Sequence, residues 1–224
     1  MSGQITLDTA FGRELATLAA DPSYRVYVEV GTWKGEGSTL CFAEGFKARS
    51  DCPSLVSIEA NYLQWAIARK FWDAQEKNFR LHILHARLGE KMMSEREVRE
   101  HPRFEQIKEH FDLYFKEDVR DFALARKVSL RAADVVLLDG GEFASEGDWA
   151  ALEGLCPRVV CLDDVNVMKN GGILERLLAA GWKLVWRSDE RNGAAILERP
   201  DHSSSESAAI SGSAESTSSG GTDQ

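Results

Sequence analysis

The feature that most constrains the fold of this chain is the stretch from residue 26 to residue 39. It reads Val-Tyr-Val-Glu-Val-Gly-Thr-Trp-Lys-Gly-Glu-Gly-Ser-Thr. The first five residues are mostly apolar and β-branched, which predicts a short buried strand. Three glycines follow, and the Ser-Thr pair opens an apolar helical pattern. A strand, a glycine turn and a helix N-terminus form a unit that binds nucleotide-like cofactors, because glycine lets the backbone approach the ligand and the helix start offers free N–H groups.

The spacing of the glycines narrows the choice of cofactor. The pattern from Glu29 is Glu-x-Gly-x-x-x-Gly-x-Gly, which differs from the dinucleotide fingerprint Gly-x-Gly-x-x-Gly, and no Gly-Lys-Ser/Thr is present. A carboxylate two residues before the first glycine would repel a pyrophosphate and favour a cationic ligand. The alternative interpretation is an ordinary strand-to-helix turn of any α/β protein.

This stretch resembles motif I of the class I S-adenosylmethionine (SAM) methyltransferases, whose cofactor carries a sulfonium and an amino group. The resemblance implies a Rossmann-like α/β fold with helices on both faces of the sheet. It also implies cofactor contacts from a set of residues in the turn: Glu29, Gly31, Thr32, Gly35 and Ser38.

The remaining hydrophobic pattern predicts a mostly parallel seven-stranded sheet that ends in an antiparallel hairpin. The predicted strands cover residues 26–30, 55–59, 81–84, 133–139, 159–162, 183–187 and 194–198. Glu59 ends the second strand, where a carboxylate can accept two hydrogen bonds from a ribose diol, a device shared by SAM and NAD sites. Ala86 follows the third strand, where we expect an adenine contact. The Asn192-Gly193 pair fits the turn of the hairpin.

The long, charged segment 88–133 contains one or two amphipathic helical patterns. It exceeds a simple strand-to-strand connection, so we expect either a lid or substrate-recognition insert or a solvated helical crossover. Residues 1–200 are predicted to form a single domain. Residues 201–224 contain nine serines and three glycines, which predicts a disordered tail.

Carboxylates also end two later strands. Asp139 ends one and Asp163 with Asp164 ends the next, so all three should meet at one edge of a parallel sheet. Hard oxygen ligands of this kind suit Mg²⁺. The set resembles metal-dependent O-methyltransferases of the macrocin and mycinamicin type, which modify sugars. The resemblance implies that Mg²⁺ and Asp139 would position the acceptor hydroxyl while a base removes its proton.

Two side chains are candidates for that base. Related enzymes often have a Lys or His three residues after the aspartate of the fourth parallel strand, and this chain has Glu142 there. Lys169, after the Asp-Asp turn, is an alternative base or substrate contact.

The amino-acid composition limits which kinds of molecule the protein is expected to bind. The 224 residues carry a net charge of −9, which argues against a nucleic-acid backbone or an anionic membrane surface as the main partner. Four cysteines without a Cys-x-x-Cys pair, no signal-peptide pattern and no long apolar run predict a reducing, cytoplasmic setting. We expect a small-molecule or sugar acceptor, and a homo-oligomer is left open. The competing functions are an NAD(P)-dependent oxidoreductase and a non-catalytic SAM-fold binding protein.

Overall fold

A single eight-stranded sheet organises the chain. The computed structural model describes residues 5–200. Within them the strands lie in the order β4-β3-β2-β1-β5-β6-β8-β7, and all run in one direction except β8, which is antiparallel to both of its neighbours, β6 and β7. The strands are β1 Val26–Val30, β2 Ser54–Glu59, β3 Arg80–Arg87, β4 Arg126–Lys127, β5 Val135–Leu138, β6 Val159–Asp163, β7 Lys183–Ser188 and β8 Ala194–Glu198.

Helices cover both faces of this sheet. They are α1 Ala10–Ala20, α2 Ser38–Phe46, α3 Tyr62–Asp73, α4 Glu95–Arg99, α5 Phe111–Leu124, α6 Ser145–Leu152 and α7 Met168–Ala179. Short 3₁₀ turns lie at Phe104–Gln106 and Glu153–Leu155. The alternation of the strands divides the core into two layers. Tyr27 and Leu137 pack with α1, α2 and α3, whereas Val28 and Leu138 pack with α6 and α7.

The seven predicted strands are all present. The sheet has one additional strand, the two-residue β4, which pairs with the end of β3 at Ala86 and Arg87. A pairing of two residues leaves no hydrophobic period in the sequence, so pattern analysis could not detect it. The predicted hairpin is confirmed as β7 and β8.

The topology places the candidate site. Strands β1, β2, β5 and β6 are adjacent and parallel, so their carboxyl ends share one edge of the sheet, called here the carboxyl edge. The order of connection reverses between β1 and β5, which is where α/β sheets of this kind open a crevice for ligands.

The segment 88–133 contains α4, a 3₁₀ turn, α5 and β4. A capping box of Ser94 and Glu97 begins α4. In α5 only Phe111 is fully buried, and several of its apolar side chains face solvent. The helical prediction for this segment is confirmed. The predicted tail at 201–224 lies outside the described residues.

No helix in the stretch from residue 5 to residue 200 combines the length and apolar character needed to cross a bilayer.

Candidate functional site

The glycine turn after β1 is built by close backbone packing. Gly31 has a φ of +98°, and its N–H donates to the Ile58 carbonyl at 2.9 Å. An ideal Cβ at this position would lie 2.1 Å from the carbonyl oxygen of Asp139. Gly35 has a φ of +78°, and its carbonyl accepts a 2.9 Å hydrogen bond from the indole of Trp72. Both positions therefore require glycine, for backbone conformation and for space.

Glu59 holds the position predicted for a ribose ligand. Its carboxylate accepts one hydrogen bond from the Trp33 N–H at 2.7 Å and one from the Asn61 N–H at 2.8 Å. Burial raises the pKa of Glu59 to about 7, and the two N–H donors only partly oppose this. Trp33 has a φ of +51°, a strained conformation for a bulky residue. The end of β2 and the glycine turn are thus joined directly through this carboxylate.

The structure does not support the predicted contact between Glu29 and a cationic cofactor. Glu29 is 0% exposed, and its carboxylate accepts hydrogen bonds from the hydroxyls of Ser38, Thr39 and Ser57. Burial raises its pKa despite these three donors. Ser57 lies directly opposite Glu29 in the pairing of β1 with β2. Glu29 therefore fastens the start of α2 to the sheet from beneath the turn.

Three other predicted contacts involve side chains that face the interior. The Thr32 hydroxyl is buried and hydrogen-bonds Ser57 at 2.5 Å, while the Ser38 hydroxyl is engaged by Glu29. The Ala86 side chain is buried in the core layer beneath α6 and α7. Any cofactor contact from these three residues would therefore have to come from the backbone, and their cofactor-binding role stays a prediction.

The three predicted aspartates do come together. Asp139, Asp163 and Asp164 each offer a carboxylate oxygen within 4.8 Å of the others; we call them the aspartate cluster. Lys169, in the first turn of α7, contacts two of them. Its Nζ lies 2.7 Å from Asp139 Oδ1 and 3.0 Å from Asp164 Oδ2. Asp164 has a φ of +55°, and this turn directs its carboxylate to the lysine.

The electrostatics of the cluster follow from this ion pair. Burial by itself would lower the pKa of Lys169, but Asp139 and Asp164 outweigh burial and hold that pKa above its ordinary value. Burial raises the pKa of Asp163 to about 7, reinforced by the two neighbouring aspartates. The two carboxylates therefore favour the charged form of Lys169, which fits the predicted alternative of a substrate contact better than that of a base.

Side chains from neighbouring loops complete the cluster. Arg191, in the hairpin turn, pairs with Asp163 Oδ2 at 3.3 Å. Asn192 donates to Asp164 Oδ1 at 3.0 Å. Sequence reasoning recognised the hairpin turn but did not connect it to the site, because the contact spans 28 residues.

Glu142 lies beside this cluster and fits the role of a proton acceptor. Burial raises the pKa of Glu142, and Lys169 provides the strongest opposing charge. A carboxylate with a raised pKa is a better base than an ordinary one once it is ionised.

Helix α5 brings two further carboxylates that sequence reasoning missed. Asp118 accepts a 2.8 Å hydrogen bond from the Phe143 N–H, and burial raises its pKa to about 6. Asp121 accepts a 2.9 Å hydrogen bond from the side chain of Asn61. Through these two contacts α5 lies across the carboxyl edge, between the end of β2 and the end of β5. No local pattern signals them, since each joins residues far apart in the chain.

Magnesium does not fit the cluster as it is arranged. The donors have suitable chemistry, since three carboxylates are hard oxygen ligands. However, Lys169 Nζ already lies within 3.0 Å of two of the three donors. Mg²⁺ needs its oxygens at about 2.0–2.1 Å and would bring a second cation into contact with the ammonium. We therefore derive no chemical step through a metal ion.

A separate cavity of about 640 Å³ lies between the loop after β3, the region after β4 and α6. Leu88, Met93, Val128 and Leu152 are among its apolar walls. The predicted cofactor, metal and base residues do not line it, so it is distinct from the candidate site. Met168, the neighbour of Lys169, forms part of its wall.

Comparisons with known proteins agree on the fold. No family model and no curated protein matches this sequence. Among solved structures, a methyltransferase from Geobacter sulfurreducens has a TM-score of 0.54 at 14% identity, with 88% of this chain and 81% of that chain covered. An O-methyltransferase from Bacillus cereus in complex with SAH has a TM-score of 0.51 at 18% identity, covering 84% of this chain and 80% of that chain. At these identities the likeness shows the fold, and residues 5–200 have the Rossmann-like fold of these methyltransferases.

Proposed function

We propose that this protein is a SAM-dependent methyltransferase that methylates an oxygen of a neutral or cationic small molecule, with a sugar hydroxyl as the first candidate. The observation that carries the proposal is the placement of Glu59. Its carboxylate lies at the carboxyl end of β2 and is bonded to the backbone of the glycine turn. This is the position from which a carboxylate can bind the ribose diol of a nucleoside cofactor.

The charge of the carboxyl edge favours SAM over a dinucleotide. The acids gathered there are Glu59, Asp118, Asp121, Asp139, Glu142, Asp163 and Asp164. A pyrophosphate would be repelled by this set, whereas a sulfonium and an ammonium would be attracted. The Bacillus cereus neighbour was solved with SAH, the product that SAM leaves after losing its methyl group. A cofactor of that class suits both the fold and the charge.

The negative charge of the carboxyl edge also limits which classes of acceptor can bind there. Nucleic acids and acceptors that carry phosphates would meet an acidic edge, which disfavours their binding. A neutral polyol can instead donate its hydroxyls to the carboxylates. We therefore favour a small polyhydroxylated acceptor over nucleic acid or a membrane surface.

The proposed chemistry uses residues already in place. An acceptor hydroxyl near Asp139 would be held in line with the methyl group of SAM. Glu142 would take the hydroxyl proton as the oxygen attacks the methyl carbon, and the bond from carbon to sulfur would break to release SAH. The positive sulfonium becomes a neutral thioether, and the proton remains on Glu142 until solvent removes it.

We also propose that α5 closes the cofactor site. Two of its side chains, Asp118 and Asp121, bond to groups that lie beside the ends of β5 and β2. The helix has one fully buried side chain, so few apolar contacts hold it in place. A nucleoside bound between Asn61 and Gly141 would lie beneath α5 and add contacts to it.

Isothermal titration calorimetry with SAM and with NAD tests the cofactor assignment. We expect SAM to bind and NAD to show no heat. E59Q should weaken SAM binding tenfold or more, because an amide accepts hydrogen bonds through one oxygen only. E76Q, at an exposed glutamate, is the matched control and should bind like wild type. Binding of NAD in preference to SAM would overturn the proposal in favour of an oxidoreductase.

Turnover separates an enzyme from a non-catalytic binding protein. Release of SAH is measured over a panel of sugars, phenols and other small hydroxyl compounds. We expect turnover with at least one neutral hydroxyl acceptor and loss of at least 100-fold in E142Q. SAM binding without turnover on any member of the panel would contradict the catalytic part of the proposal.

A further inference from the structure

We propose that the ammonium group of Lys169 takes the place of a divalent metal ion in the aspartate cluster. The chain would then carry its own cation at the position where the sequence predicts Mg²⁺. This inference concerns Asp139, Asp163, Asp164 and Lys169, and it does not depend on the identity of the acceptor.

The position of the ammonium is the first support. Lys169 Nζ bridges Asp139 at 2.7 Å and Asp164 at 3.0 Å, so one cation joins the acids that end β5 and follow β6. These are charge-assisted hydrogen bonds of ordinary length. The bridging position between two strand ends is the one a metal ion would need in order to use the same oxygens.

The charge balance is the second support. Three carboxylates within 4.8 Å of one another carry a charge of −3 when ionised. Lys169 and Arg191 together supply two positive charges by direct ion pairs. A divalent ion would supply the same charge, so adding one to the paired cluster would reverse its sign. The two cationic side chains already reduce the charge of the ionised cluster from −3 to −1.

The rigidity of the lysine is the third support. Lys169 is 7% exposed and is the second residue of α7, directly before Asn170. The Asn170 amide donates to the Leu138 carbonyl at 3.0 Å and to the Asp163 carbonyl at 2.6 Å. The start of α7 is therefore bonded to both strand ends. Moving Lys169 out of the cluster would leave two partly buried carboxylates without their cation, which is destabilising.

This cation can also contact the acceptor. An ammonium has three N–H donors, and the ion pairs with Asp139 and Asp164 use two of them. The third N–H can donate to the acceptor oxygen, whose negative charge grows as its proton leaves. This step rests on the proposed methyltransferase function, whereas the replacement of the metal does not.

Manganese titration followed by electron paramagnetic resonance tests the replacement directly. Free Mn²⁺ gives a sharp six-line signal that is lost on binding, so the protein is titrated with Mn²⁺ alone. We expect wild type to leave the signal unchanged up to 1 mM metal. K169M, which keeps the length of the side chain but removes its charge, should bind one Mn²⁺ per chain. K108M removes an exposed lysine of a surface ion pair and should behave like wild type.

The outcomes decide the inference in either direction. Stoichiometric Mn²⁺ binding by wild type that is lost in D164N would overturn it, and so would a folded K169M that fails to bind. If K169M does not fold, the wild-type titration alone decides. Binding by K169M that disappears in the D164N/K169M double variant would support the inference.

Catalytic measurements give a second readout. Methyl transfer by wild type should be unchanged by 5 mM EDTA, and K169M should lower kcat by tenfold or more with little change in the SAM dissociation constant. The metal titration needs no turnover. Failure of the proposed function would appear in the SAM titration, whereas failure of this inference would appear in the Mn²⁺ titration.

Discussion

The side-chain amide of Asn61 donates a 2.9 Å hydrogen bond to Asp121, joining the N-terminus of α3 to α5 across the ends of β2 and β3. Asn61 also caps α3, since its Oδ1 accepts from the N–H groups of Leu63 and Gln64. One residue thus both begins α3 and is bonded to α5.

That contact makes the mobility of α5 measurable by limited proteolysis. D121A removes the acceptor and should raise the rate of trypsin cleavage after Lys116 severalfold, because α5 has few other buried contacts. Cleavage after Arg120 is not used, since the substitution changes the residue next to that bond. D112A, at an exposed acid of the same helix, is the control.

SAM should protect the same bond in wild type. If cleavage after Lys116 is equally fast with and without saturating SAM, and D121A has no effect, α5 does not act as a cover. The long segment 88–133 would then be a simple helical crossover.

The acidic site should make stability depend on pH. The pKa is raised to about 7 for Glu59 and Asp163 and to about 6 for Asp118 and Asp148, in each case mainly by burial. The folded state therefore holds more protons than the unfolded state between about pH 4 and pH 7, so the free energy of unfolding falls as pH rises through this range. His101 has a lowered pKa and acts in the opposite direction, but it is a single, partly exposed group.

Urea unfolding at pH 5 and pH 8 measures this effect. We expect the free energy of unfolding to be lower at pH 8 by at least about 2 kcal/mol, since one pKa unit corresponds to about 1.4 kcal/mol. E59Q should reduce the difference between the two pH values. If wild type has the same free energy of unfolding at both pH values, the pKa values of these carboxylates are not raised by folding.

Glu29 should be a determinant of stability. E29A would leave the hydroxyls of Ser38, Thr39 and Ser57 without their acceptor in a fully buried site. We expect a loss of about 3 kcal/mol or more in the free energy of unfolding. The exposed Glu36 in the same turn provides the control variant E36A, which should change stability by less than about 0.5 kcal/mol.

E29Q distinguishes the two ways in which Glu29 could act. An amide can still accept from a hydroxyl, and hydroxyls can rotate to accept from its N–H groups. E29Q should therefore fold and bind SAM nearly as well as wild type. A large loss of SAM affinity in folded E29Q would restore the direct cofactor contact that the buried geometry argues against.

The backbone at Asp164 predicts an unusual order of stability. With a φ of +55°, alanine at this position is strained whereas glycine is not. Both D164A and D164G remove the Asp164 carboxylate that pairs with Lys169. The difference in their free energies of unfolding therefore reports the effect of the backbone conformation alone. We expect D164G to be more stable than D164A by about 1 kcal/mol in urea unfolding.

Asp189 offers the matched comparison, because it is exposed and its φ is not positive. There D189G should be less stable than D189A, since glycine costs more conformational entropy on folding. The same order at both positions would contradict the assigned backbone strain.

Local pattern predicted the sheet well because each long strand carries its own apolar signal. The approach of Asp139 to Asp164 was predictable for a related reason, since parallel strands end at one edge. The position of Lys169 was not predictable, because it depends on the turn after β6 and on how α7 begins. Asp118 and Asp121 depend on the path of α5, which no short-range pattern specifies.

The role of Glu29 was within reach of the sequence. If β1 and β2 are aligned as parallel neighbours, Ser57 falls opposite Glu29, and Ser38 and Thr39 follow at the start of the next helix. A buried carboxylate surrounded by hydroxyls indicates a structural role, in which the acid hydrogen-bonds neighbouring segments. Its position before a glycine had instead suggested a ligand contact. The strand, turn and helix of this stretch were predicted correctly, but the neighbouring hydroxyls decide what the acid contacts.

The absence of a side chain at Gly31 limits which substitutions the site can accept during evolution. A methyl group there would collide with the backbone of Asp139, so the glycine turn after β1 and the residue that follows β5 are packed directly against each other, backbone to backbone. Any substitution that moves the glycine turn after β1 away from this position would also shift Asp139 and the aspartate cluster. If the proposed function holds, specificity for a new acceptor would be easier to acquire through α5 and the hairpin loop, which lie outside this packed pair of backbone segments.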